Sequence, residues 1–282
     1  MILPRRQSTP TVSVFMSVHN EAPWVAQAVE SILNQTYSNF ELLITDDGSV
    51  DDTGRILFSY EGGDPRVHLI RHSTSQGLAV SLNEQIGLAR GKYIARMDGD
   101  DIARTDRLSK QVSFLEAHPQ VGILGSYCQE IDSEGSPVCI WSRPTENYAL
   151  QKALLRYNPF IHSTIMLRRE VFQKTGLYNT RYRYAQDYEL WLRVARQYEL
   201  ANIPEPLVDL RVDWNKLAQK NREARQCELF ILSRHICAGA YPNWYYLFLC
   251  RPLFWSLLPT GWIIKLKTIQ RRIRQTHHLN AF

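Results

Sequence analysis

Two short acidic runs and one polar run carry most of the chemistry open to this 282-residue chain. Asp98-Gly99-Asp100-Asp101 places hard oxygen donors at alternate positions directly after an apolar stretch. Such a pair can hold Mg²⁺ or Mn²⁺ while a diphosphate fills other coordination positions. A metal there would neutralise charge developing on a departing nucleoside diphosphate. The competing reading is a solvated acidic turn that caps the next helix. Asp46-Asp47-Gly48-Ser49 poses a similar choice. A carboxylate there can meet a base N–H or a ribose hydroxyl, and the segment also suits a strand-to-helix turn with Ser49 as cap. The polar run is Ser17 to Glu21.

These clusters need a frame that brings them together. Val12 to Val18, Phe40 to Thr45, Val67 to Ile70 and Tyr93 to Met97 are apolar, β-branched runs that read as buried parallel strands. Between them lie helical patterns. The first has Val25, Ala28, Val29, Ile32 and Leu33 as one stripe, with Asn20 as its expected cap and Pro23 in its first turn. Another follows Ser49 and Asp52, which have capping-box spacing. A third spans Leu78 to Arg90, with Gly91 expected to close it. This alternation predicts an α/β fold with a doubly wound, mainly parallel sheet and helices on both faces. Ligands then bind beyond the carboxyl ends of the strands, where all three polar clusters fall.

Further along, helices are expected over Asp106 to Ala117, Thr145 to Arg156 and Asp187 to Gln197. Strands are expected at Val121 to Leu124, Val138 to Trp141, Ser163 to Leu167 and, after Pro204-Glu205-Pro206, Leu207 to Val212. The predicted division is a catalytic domain over 1–215, with halves near 11–101 and 102–215, and a helical tail over 216–282.

Composition narrows the function. The formal charge of +5 is mild, and no basic stripe interleaved with aromatics appears in the first two hundred residues, so nucleic acid is not the expected partner. Five widely spaced cysteines without a CxxC suit a reducing compartment. Met1 to Pro10 holds no apolar run, so a cytosolic location is expected. Neither GxGxxG after the first strand nor GxxxxGK[ST] is present, which removes the main support for dinucleotide and P-loop readings.

The blocks Ser17-Val18-His19-Asn20-Glu21, Ser31-Ile32-Leu33-Asn34-Gln35-Thr36-Tyr37 and Phe40-Glu41-Leu42 resemble the start of a family 2 glycosyltransferase with the GT-A fold. Leu82 to Asp101, ending in Gly91 to Asp101, is similar to that family's second block, and Gln186-Asp187-Tyr188-Glu189-Leu190-Trp191-Leu192-Arg193 to its acceptor-side block. The resemblance covers roughly Thr11 to Val212. It implies an inverting transfer from a nucleotide diphosphate sugar, with uridine the commonest base in the family. By motif position Ser17, His19, Glu21 and Asp47 would line the nucleoside side and Asp98 would face the ribose or metal. Asp100 would be the principal ligand of Mn²⁺ or Mg²⁺. Asp187 would take the proton from the acceptor hydroxyl, or else cap its helix. His19 stands where relatives often have an aromatic ring, and Arg211-Val212-Asp213 where many have Arg-X-His. His162 resembles an acceptor-side position; a buried, hydrogen-bonded histidine is the simpler reading. The Gln-X-X-Arg-Trp signature of processive synthases is absent, which favours single additions.

The tail from Tyr241 to Ile264 is aromatic but broken by Arg251, Pro252 and Pro259, and Lys265, Lys267, Arg271, Arg272 and Arg274 follow. That pattern suits an interfacial segment at the inner face of the cell membrane, near a glycan or lipid-linked acceptor. Packing on the catalytic domain or in a dimer is the other reading. Two rival functions stand: a sugar nucleotidyltransferase, and a non-catalytic nucleotide-sugar binder.

Overall fold

The computed structural model describes residues 9–212 and 214–237. Its strands are β1 (Val12–Val18), β2 (Phe40–Asp47), β3 (Val67–His72), β4 (Tyr93–Met97), β5 (Ile102–Ala103), β6 (Val121–Ile131), β7 (Pro137–Trp141), β8 (Met166–Arg168) and β9 (Glu199–Arg211). The helices are α1 (Val25–Leu33), α2 (Thr53–Gly63), α3 (Leu78–Leu88), α4 (Arg107–Ala117), α5 (Asn147–Leu154), α6 (Glu170–Thr175), α7 (Gln186–Val194) and α8 (Trp214–Cys237).

Every residue of β1, β2 and β4 is buried, as expected of strands covered on both faces. β3-β2-β1-β4 pair in parallel, and the sheet continues through β8, β6, β9 and β5, with β7 on β6. In this second half β6 and β9 are parallel, while β8, β7 and β5 run antiparallel to their neighbours. Alternation along the strands separates two cores. Val12, Val14 and Met16 face α1, α2 and α4, whereas Phe15, Leu43 and Ile94 face α3, α5, α6, α7 and the end of α8. The α/β layering with helices on both faces is therefore present.

Several expected details give way to local competition. Asn20 does not cap α1, which begins at Val25. A turn in which Trp24 and Val25 donate to the Glu21 carbonyl starts that helix. Asn20 instead adopts φ +57 and accepts the Val50 N–H. Ser49 does not cap α2: its hydroxyl accepts from the Asn20 N–H, and Asp51 takes the Thr53 N–H. Gly91 is not a left-handed cap, because α3 ends at Leu88 and the chain leaves through an extended Ala89. Gly91 serves a close approach, since a Cβ there would lie 2.5 Å from the Ser13 nitrogen. Ser163 lies in a 3-10 turn, His162–Thr164, and β8 starts only at Met166. Pro204 and Pro206 lie inside β9 instead of before it, where register shifts at Ser126, Tyr127 and Cys128 accommodate them.

Among the described residues no helix is long and apolar enough to cross a membrane. Asp213, the aromatic segment Tyr241 to Ile264 and the basic stretch after it lie outside the described residues.

Candidate active site

The carboxyl ends of β1, β2 and β4 gather the polar clusters at one edge of the sheet. β2 delivers Asp47, which is only 4% exposed. Its Oδ1 takes the His72 Nδ1–H (2.7 Å) and the Gln76 N–H (2.8 Å). Its Oδ2 takes the Ser75 hydroxyl (2.7 Å) and the Gly77 N–H (2.9 Å). Burial acts to raise its pKa, but these donors outweigh burial and hold it down at about 2. All four acceptor positions of Asp47 are thus occupied, one by the end of β3 and three by the loop that leads into α3. The exposed His19 reaches the Asp47 carbonyl oxygen through Nδ1 (2.9 Å) and the Asn20 amide through Nε2 (3.1 Å). Ser17 is buried in β1, in register with Thr45.

β4 delivers the acidic corner. Arg96, 2% exposed, forms an ion pair with Asp98 Oδ2. Burial opposes ionisation of Asp98, yet the Arg96 charge holds its carboxyl below the usual range. Ser163 adds a second tie, accepting from the Asp98 N–H at 2.7 Å and donating to its Oδ2 at 3.2 Å. Asp100 makes no such ion pair: burial and the Asp98 charge push it up to about 6 against the weaker pull of Arg96 and Arg211. Glu21 packs on Gly99, where an added Cβ would stand 2.0 Å from Oε2. Burial, with Asp100 and Asp98 beyond it, raises Glu21 to about 9. Asp101 is raised by burial and by the same two aspartates. Glu21 Oε2 and Asp101 Oδ2 are buried without a hydrogen-bond partner.

No group of three or more acidic, histidine or cysteine side chains is arranged to hold a metal ion among the described residues. The chemistry of the corner nonetheless fits a hard cation. Asp98 and Asp100 supply two oxygen donors, Asp100 without an ion-pair partner, and Mg²⁺-type ions commonly take their remaining ligands from phosphate oxygens and water.

α7 supplies the opposite wall. Asp187 is in its first turn, but Ala185, at φ +57, occupies the cap position, so the side chain is not an N-cap. Asp187 Oδ2 accepts the Asn158 amide at 2.7 Å. Burial raises its pKa against that bond and the Tyr188 N–H. His162 Nε2 meets the Tyr178 hydroxyl at 3.1 Å, and its ring stands edge-on to Trp191. Burial and the Arg96 charge keep His162 neutral, well below the usual histidine range. It is hydrogen-bonded, as the simpler reading expected, but half-buried rather than fully so.

Arg96 ties the two walls together. Its charge acts on Glu21, Asp98 and Asp100 on one side and on His162 and Asp187 on the other. Sequence reasoning passed over this residue, although a lone arginine within the buried run Tyr-Ile-Ala-Arg-Met is a visible signal. It named Arg211 only as part of Arg211-Val212-Asp213 and gave it no role. That side chain donates to the Asp100, Asp132 and Ser133 carbonyls and to Gln27, while its N–H donates to Asp101 Oδ1.

Comparison with known proteins places this arrangement in context. Residues 13–176 match the model of "Glycosyl transferase family 2". An uncharacterised glycosyltransferase of Haemophilus influenzae is 36% identical over 74% of this chain and 68% of its own length. The putative glycosyltransferase EpsE of Bacillus subtilis is 32% identical over 90% of this chain and 92% of its own. Among solved structures, mannosyltransferase PcManGT from Pyrobaculum calidifontis, in complex with GDP-Man and Mn²⁺, superposes with a TM-score of 0.66 at 19% identity. The match covers 97% of this chain and 76% of that one. S. aureus TarS 1-349 with UDP-GlcNAc gives 0.62 at 15% identity, over 78% of this chain and 66% of that one. These two likenesses speak to the fold.

Proposed function

This chain belongs to the family 2 glycosyl transferases, and from that premise we propose that it moves a sugar from a nucleoside diphosphate sugar to an acceptor hydroxyl with inversion. The observation that carries the proposal is that one turn, His162–Thr164, joins the acidic corner to α7: Ser163 bonds Asp98, and the neighbouring His162 packs on Trp191 of the helix that bears Asp187. In-line displacement needs a base on one face of the sugar and charge stabilisation on the other. Asp187 fits the base: burial makes it more basic than an ordinary aspartate, and the Asn158 amide fixes one of its oxygens. Asp98 and Asp100 would hold Mn²⁺ or Mg²⁺, which when bound neutralises the leaving diphosphate. Ser17, His19, Glu21 and the turn anchored by Asp47 form the nucleoside side. GDP-Man with Mn²⁺ in one structural relative and UDP-GlcNAc in another support a nucleotide-sugar donor without choosing its base or sugar.

The matched family is one of glycosyl transferases, which supports sugar transfer over the nucleotidyltransferase and non-catalytic readings. For location, the aromatic and basic residues after Tyr241 support attachment at an anionic membrane surface, beside a glycan or lipid-linked acceptor. Deleting residues 241–282 should then release the enzyme from membrane fractions; unchanged sedimentation refutes it.

The mechanism is tested with Asp187→Asn, by following donor binding calorimetrically and nucleoside diphosphate release enzymatically. Binding should persist while transfer drops ~100-fold or more. Wild-type turnover in the variant, or pyrophosphate as product, overturns the proposal.

A further inference from the structure

Both ring nitrogens of His72 meet carboxylates. Nδ1 lies 2.7 Å from Asp47 Oδ1, and Nε2 lies 2.8 Å from Glu84 Oε2. An ionised carboxylate only accepts hydrogen bonds, so both contacts exist together only when the imidazole carries both protons. His72 therefore sits as a cation between β2 and α3, with 13% of its side chain exposed.

What this cation holds is a single packed unit. The other three donors to Asp47 come from Ser75, Gln76 and Gly77, in the loop that opens α3. The same loop presses on the turn after β2. Gly48 adopts φ +73, and a Cβ there would lie 2.6 Å from the Ser75 nitrogen. On the other side of that turn, His19 reaches the Asp47 carbonyl oxygen. The position of His19 and the Gly48 turn thus depends on a loop whose anchor is a titratable pair.

We propose that His72 is a positioning residue for the donor site: its doubly protonated ring clamps Asp47 to Glu84, and donor affinity falls as the ring gives up its second proton. The proposal rests on the nucleoside-side reading above.

The groups bonded to His72 are Asp47 from β2 and Glu84 from α3, while Ser75 and Gln76 of the loop bond Asp47 and do not titrate in this range. On its own strand Arg71 turns away, donating to the Gly54 carbonyl and lying over the Phe58 ring. Burial works against the charged ring, but bonds to Asp47 and Glu84 prevail and raise its pKa above the usual histidine value. The clamp is complete below the ordinary histidine pKa of ~6.5 and is lost as pH rises through the raised value. Deprotonation turns one nitrogen lone pair toward a carboxylate, replacing a charge-assisted bond with repulsion.

The test titrates the full chain with UDP and GDP plus Mn²⁺ from about pH 6 to 9, the span of histidine deprotonation. Wild type, Glu84→Gln and His72→Gln are compared, and the His72 ring is followed by ¹⁵N NMR. Nucleotide and metal titrate alike in all three proteins, so differences between variants report on the clamp. In wild type, affinity should fall about tenfold, the loss of one charge-assisted bond, as the ring deprotonates. Glu84→Gln should move that midpoint to lower pH, and His72→Gln should bind weakly without the transition. KM for donor should follow the same curve while kcat does not. A neutral His72 at the low end of the range, an unmoved midpoint in Glu84→Gln, or wild-type binding by His72→Gln overturns the proposal alone. Failure of wild type to bind either nucleotide at any pH overturns the donor-site reading and this proposal with it.

Discussion

Asp47→Asn tests whether the β2 turn is held by charge. The Asp47 carboxyl lies at about 2 in the folded protein against an ordinary aspartate value of 3.8. At ~1.4 kcal/mol per tenfold, that difference stabilises the fold by roughly 2 kcal/mol once the group is ionised in both states. A folded pKa below the unfolded one gives stability that is present above pH 3.8 and is lost as pH falls through about 2. Asparagine keeps one acceptor oxygen but sets an NH₂ against donors such as Ser75 and the Gly77 N–H. The variant should therefore be less stable by roughly 2–3 kcal/mol at neutral pH. Near pH 3 about half of the charge contribution should remain. Urea unfolding followed by tryptophan fluorescence at both pH values measures the gap. A difference under ~0.5 kcal/mol at neutral pH, or one that does not shrink in acid, refutes the reasoning.

Gly48→Ala should lower stability by at least ~2 kcal/mol, from a left-handed φ and a Cβ driven into the Thr74–Ser75 backbone, read as a drop in melting temperature by calorimetry. Arg96→Met should cost ~3–5 kcal/mol, because Asp98 loses its buried counter-charge. Adding Asp98→Asn to it should recover part of that loss in the same unfolding assay. Glu21, raised to about 9 from 4.5, favours its protonated form when folded, so its contribution falls as pH rises between those values. Metal-free Glu21→Gln should accordingly melt above wild type near pH 8 and approach it near pH 5, as thermal scans would show.

The first half of the fold was legible because burial on both faces leaves little choice of residue. β1 and β4 have the ends expected from their apolar runs, and α1 buries the expected stripe. What escaped was decided by single polar atoms. Asn20 has the composition of a cap, but its amide is drawn to Val50 across the turn, which no periodicity in β1 or α1 encodes. β9 was shortened because proline argues against a strand interior, and only the partner β6, with its register shifts, makes room for Pro204 and Pro206. The acidic residues of the candidate site were visible as types at the ends of strands. Their partners were not: His72 for Asp47, Arg96 for Asp98 and Asn158 for Asp187 are separated from them by between 2 and 29 residues, and only the fold brings the distant ones near.

The two aspartates of Asp98-Gly99-Asp100 are not equivalent, and the difference follows from what lies beneath them. Two buried cations lie beneath this end of β4. Arg96 is paired with Asp98, whereas Arg107 donates to the Arg96 and Ile165 carbonyls, to Gln111 and to the Met97 sulfur. Burial draws Arg107 down to about 9, with the Asp101 charge opposing, so it remains charged at neutral pH. Against them stand Asp98 and Asp100, while burial pushes both Asp101 and Glu21 toward their protonated forms. Asp98 is neutralised within the protein and Asp101 takes the Arg211 N–H. Asp100 makes no ion pair, and burial and the Asp98 charge raise its pKa, with Arg96 and Arg211 opposing. A hard cation arriving with the donor diphosphate would meet Asp100 first, because Asp98 is already held by Arg96. For that reason Asp100→Asn should abolish thermal stabilisation by Mn²⁺ plus nucleoside diphosphate, while Asp98→Asn, which strips Arg96 of its partner, should also lower the melting temperature of the unliganded protein.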